Sequence, residues 1–190
     1  TKIELRPDRI DVSIMTAIRL EVVSAGGMPT LGGASDCLDQ ICSVGAKVVS
    51  VIGEMDRYAI GAVCQIPAQS REEPYRQLRD ILGITYLNAD DCSEFQFRLN
   101  RPIDEAFGGT SLTLNRLGLW GATAINLTPV TQHGGHAKPI GVAYALQATL
   151  DFSTTGQVLL TQLPVKLPAV TILGRLAFYA KELLVHGPRK

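Results

Sequence analysis

Hydrophobic residues fall along this chain in two rhythms. Between Glu94 and Arg101 they alternate, with Phe95, Phe97 and Leu99 sharing one face. The same two-residue period returns at Leu112 and Leu114, at Thr123, Ile125 and Leu127, and over Ile140, Val142, Tyr144, Leu146, Ala148 and Leu150, the longest strand the pattern predicts. Alternation of this kind marks strands with one buried face, and the series reads as an antiparallel meander. Apolar runs at Ile3 to Arg6 and Ile10 to Met15 flank the turn pair Pro7-Asp8 and predict a hairpin. Ala17 to Val23 adds a strand, and Tyr58 to Ile66 reads as a strand covered on both sides.

The second rhythm is helical. From Asp36 the positions Leu38, Ile41, Cys42, Gly45, Val48, Val49, Ile52 and Met55 form one stripe, and Gly45 in its middle predicts close packing against a neighbouring element. Ser70-x-x-Glu73 is a capping box that opens a second helix carrying Tyr75, Leu78, Ile81 and Leu82 and stopping at Gly83. A third starts at Pro168, carries Val170, Leu173, Leu176, Ala177, Ala180, Leu183 and Leu184, and stops at Gly187-Pro188. Three helices against one mainly antiparallel sheet of six to eight strands predict a single α+β domain over residues 1–190.

The chain has 190 residues with 18 basic and 18 acidic side chains, so no global field draws it to nucleic acid or an anionic membrane. Charged residues make up 19%, below the usual share of about 25%, which predicts apolar surface against another chain and hence a homo-oligomer. Cys37, Cys42, Cys64 and Cys92 lack a C-x-x-C spacing and read as reduced thiols in a cytoplasmic protein. No signal-peptide pattern opens the chain, and the apolar stretch Val158 to Val185 is broken by Pro164, Lys166, Pro168 and Arg175, so no membrane span is expected.

Candidate chemistry is sparse because Ala106 to Leu150 holds no Asp or Glu, so its strands offer no carboxylate as base, nucleophile or metal ligand. His133-Gly134-Gly135-His136, with Lys138 nearby, is the most conspicuous loop motif. A metal there would need a third ligand from far away, so neither metal nor cofactor is expected. Leu99-Asn100-Arg101 and Leu114-Asn115-Arg116 repeat a triplet whose arginines could grip an anion. If Leu99 faces Leu114, the two arginines stand roughly 13 Å apart and flank the sheet as rim residues. Asp90-Asp91 and Asp104-Glu105 read as solvated loop charges. Trp120, the only tryptophan, is expected to anchor a core or an interface. His186 meets the carbonyl end of the last helix.

These features point to a non-enzymatic, self-associating interaction protein that presents the loop from Thr128 to Pro139 and its rim arginines to a protein partner. The rival is a small-ligand carrier or small enzyme with a cavity between the sheet and the last helix. In it His133 and His136 stand at the mouth, with Lys138 beside them, while Arg101 or Arg116 orients a small anionic ligand.

Overall fold

Alternating segments from residue 59 onward pair into one antiparallel sheet in the computed structural model, which describes residues 2–5, 10–14, 31–52, 55–127, 141–155 and 168–189. Strands β1 (Lys2–Leu5) and β2 (Ile10–Ser13) form the expected amino-terminal hairpin pair. Helix α1 (Ala34–Ile52) precedes β3 (Ala59–Ala68), and helix α2 (Glu72–Leu82) precedes β4 (Gln96–Asn100), β5 (Ile103–Phe107), β6 (Thr110–Leu127) and β7 (Gly141–Thr154). Helix α3 (Ala169–His186) closes the chain with a short 3-10 turn at Gly187–Arg189. The sheet runs β3-β7-β6-β4, with β5 also on β6, which makes the molecule α+β.

The helices cover one face of that sheet. Even-numbered residues of β6 and β7 point toward them, so Leu114 and Phe152 are fully enclosed, together with Leu176 and Ala180 from α3. Trp120, Leu146 and Ala148 form a neighbouring cluster with Tyr75 and Leu78 of α2. The opposite face is mixed: Gln65 donates to Gln147 at 3.0 Å and Thr113 donates to Asp104 at 2.6 Å, while Val63, Leu117 and Leu119 share that side. Helix α1 packs on α3. Gly45 lies close under α3, for a Cβ there would stand 3.4 Å from Leu173 Cδ1, as the glycine in mid-stripe predicts.

Helix ends follow local chemistry with one shift. Gly83 takes φ +67° and its N–H donates to the Arg79 carbonyl, closing α2 as expected. At the other end the capping box is displaced: Glu73 accepts from the Gln69 N–H at 2.8 Å, and Arg71 occupies the cap position without a side-chain capping bond.

Four expectations need correction, and the strand expected over Ala17 to Val23 lies outside the described residues. Strand β3 is an edge strand with one open side, Val63 and Ile66 being exposed, rather than one covered on both sides. The region from Thr110 to Leu127 is a single strand of 18 residues rather than two separated ones, and it exceeds β7 in length. Gly118 and Gly121 interrupt its apolar pattern because both lie under close neighbours. A Cβ on Gly121 would stand 2.9 Å from the Phe95 carbonyl, and one on Gly118 would strike the Trp120 ring. Asp104 and Glu105 belong to strand β5, not to a loop. The expected pairing of Leu99 with Leu114 is also replaced: Leu99 faces Gly118, and Ile103 faces Leu114.

Candidate functional site

A two-residue turn sets the geometry of the site. Gly108 and Gly109, at φ +55° and +88°, link Phe107 to its partner Thr110. Two consecutive positive φ values suit the tight turns whose twist matches paired strands. Counting back along the ladder from this turn, Ile103 meets Leu114 and Asn100 meets Leu117, so Arg101 falls opposite Arg116. Pro102, which has no N–H to give, splits the edge into β4 and β5. Arg101 N–H still donates to the Arg116 carbonyl at 3.1 Å.

The arginines are therefore cross-strand neighbours on the helix-facing side, about 4.5–5.5 Å apart at Cβ, and the roughly 13 Å separation does not apply. Phe152 on β7 lies directly across from Arg116, so one row runs Arg101, Arg116, Phe152 and then Ile60 over four strands. The adjacent row places Leu99 and Leu150 on either side of Gly118, and the next places Phe97 opposite Trp120, ring centroids 6.0 Å apart.

Above these rows α3 leaves a cleft of about 220 Å³. Its floor and sides are Leu99, Arg101, Arg116, Trp120 and Phe152, and the helix contributes Phe178, Tyr179, Glu182, Leu183 and His186. The Trp120 ring lies across Gly118 toward the arginines, so the absence of a side chain at 118 gives the indole its place. His186 lies in the last turn of α3 as expected, 3.6 Å from Glu182 Oε2, and also lines the cleft.

Arg116 is held on two sides. Its Nε donates to the Arg101 carbonyl at 2.8 Å, and its Cζ stands 5.0 Å from the centroid of the Tyr179 ring. The other face of the cluster is occupied by Arg175, 5.1 Å from the same ring. The Tyr179 hydroxyl donates to Glu105, and Arg175 donates to the same carboxylate at 2.7 and 2.8 Å. Glu105 is thus committed to Tyr179 and Arg175. Among the described residues, Arg116 forms no ion pair with a carboxylate.

Protonation follows from these contacts. The Tyr179 hydroxyl, followed by Arg175, holds the Glu105 carboxyl below the usual carboxylate range, while burial and then Glu105 push the Tyr179 phenol up. A lowered carboxyl pKa contributes stability that is full above the unfolded value and is lost as pH falls through the folded one. The stability difference between the parent and Glu105→Gln, read from urea midpoints, is expected to be constant near neutrality and to shrink between about pH 5 and pH 2. A difference that stays level to pH 2 would show that the carboxylate contributes nothing through its charge.

The remaining candidates separate from this cluster. His133, His136 and Lys138 lie outside the described residues. Burial, followed by the charge of Asp39, raises the Cys42 thiol, and burial followed by Cys37 raises Cys64, which keeps both in the protonated form. Among the described residues no group of three or more His, Cys, Asp or Glu side chains could hold a metal, and no helix is long and apolar enough to cross a membrane. Comparisons with protein families, with curated proteins and with solved structures found no match for this chain.

The residues that the sequence pattern passed over are Glu105, Phe178, Tyr179 and Glu182. A signal for the first existed in Phe107-Gly108-Gly109-Thr110, a hairpin turn that puts Glu105 on a strand and its side chain on the helix face. No local signal pointed to Phe178, Tyr179 or Glu182, which are ordinary residues of an amphipathic helix until it docks.

Proposed function

We propose that this protein is a small-ligand-binding domain that takes an anionic group at Arg101 and Arg116, with the apolar part of the ligand in the cleft under α3. The observation that carries this reading is the cross-strand placement of two arginines at the edge of an aromatic and aliphatic pocket. Both arginines line the cleft, where guanidinium donors suit a carboxylate or another small anion. The volume of about 220 Å³ lies below the roughly 300–1,000 Å³ of sites for drug-sized ligands, so the ligand is small.

Trp120 is the only tryptophan and lines the cleft, so its emission reports occupancy. Titration with 3-phenylpropionate is expected to shift that emission saturably. Arg116→Gln removes charge-assisted bonds worth about 1.5–3 kcal/mol and is expected to weaken binding by about tenfold to a hundredfold. Equal affinity in parent and variant would remove the arginine from the site.

Self-association is a second reading, supported by Val51 at the end of α1, 86% exposed, and by Val63 on the open sheet face, 63% exposed. Sedimentation at micromolar concentration is expected to show a dimer or larger species that Val63→Lys weakens. A monomer at every concentration would end that reading.

A further inference from the structure

The cleft holds both signs of charge at close quarters. Tyr179 stacks on Arg116, and Glu182 follows one turn later on α3; residues three apart on a helix are neighbours at about 5–6 Å between Cβ atoms. Leu183, adjacent in sequence, points into the same cleft, and His186 completes the lip at 3.6 Å from the Glu182 carboxylate. An apolar pocket, a guanidinium pair and a carboxylate thus converge within 220 Å³. A simple fatty or aryl acid uses the first two and leaves Glu182 facing its own charge. A ligand carrying a cation beside its anion satisfies all three.

We infer that the ligand is a zwitterion of the α-amino acid class with an apolar side chain. Its carboxylate meets Arg101 and Arg116, its ammonium meets Glu182, and its side chain enters the space among Leu99, Trp120, Phe152 and Leu183. The small volume fits a single amino acid. The inference rests on the anion-binding reading of the same cleft and adds the recognition of the ammonium group.

The test compares three probes that share one phenyl group, followed by Trp120 emission in the full chain: L-phenylalanine, 3-phenylpropionate, which lacks the amine, and phenethylamine, which lacks the carboxylate. L-Phenylalanine is expected to bind about tenfold or more tightly than either of the others, the size expected for a charge-assisted bond lost. Glu182→Gln is expected to bring L-phenylalanine down to the affinity of 3-phenylpropionate and to leave the latter no weaker. Glu182 is about half exposed, so the variant folds as the parent does, and matching circular dichroism spectra check this.

If 3-phenylpropionate binds as well as L-phenylalanine, or if Glu182→Gln weakens both alike, the zwitterion assignment falls while the anion reading stands. Phenethylamine binding as tightly as L-phenylalanine also overturns it. No binding of any probe by the folded parent chain overturns both.

Discussion

Gly118→Ala is expected to evict Trp120 from its seat and to cost about 1–3 kcal/mol, the range for overpacking a well-filled interior. The new Cβ would overlap Trp120 Cη2 and stand 2.7 Å from Cζ3 and 2.9 Å from Cζ2. None of these atoms can yield alone, because they belong to one rigid ring of a residue that is 3% exposed, with the Phe97 ring 6.0 Å away. The indole must swing toward the cleft or leave the core. Either way its emission moves to the red and the cleft no longer accepts a ligand. Gly118→Ala combined with Trp120→Leu removes the clash, so the double variant is expected to be more stable than the sum of the single changes, with a coupling of about 0.5–3 kcal/mol. An unchanged emission maximum in Gly118→Ala would show that the ring does not rest on residue 118.

Phe152→Ala is expected to be the most damaging single truncation, at about 3–5 kcal/mol. Phe152 has no exposed surface and lies in the row between Ile60 and Arg116, where it meets side chains of α3. Truncation leaves a void that joins the cleft, so the hole opens toward solvent on the side of Arg116. Domain stabilities are typically about 5–15 kcal/mol, so the loss takes a large share of the total. Urea unfolding is expected to show a lower midpoint with an unchanged slope. A loss under about 1 kcal/mol would mean that neighbouring groups collapse into the space and that the row is not the packed centre described here.

Much of the architecture was legible because it rests on short-range rules. The Phe97 and Leu99 alternation and the Gly83 and Gly187 stops each depend on residues within a few positions of one another. The long strand β6 was not legible as one element, since Gly118 and Gly121 look like breaks when seen without their neighbours. In place they are where a ring and a carbonyl come too close for a side chain. Strand β5 was hidden for the opposite reason. Asp104 and Glu105 look like loop charges, yet Asp104 meets Thr113 on the open face while Glu105 is bound by Tyr179 and Arg175 on the other.

The candidate site was half visible. Arg101 and Arg116 stand out as a repeated triplet, but a pattern along one strand cannot say which residue lies opposite. Moving the partner of Leu99 from Leu114 to Gly118, as the Gly108-Gly109 turn requires, changes two distant rim arginines into neighbours.

Periodicity, caps and turn residues thus set which segments are strands or helices and which side of each is apolar, because those preferences come from backbone sterics and local hydrogen bonding. Pairing register and helix docking are long-range. They placed Arg101 beside Arg116, seated Trp120 on Gly118, and brought Tyr179 and Glu182 over both. A cleft is the space between elements, and its shape is a property of their packing rather than of any one segment.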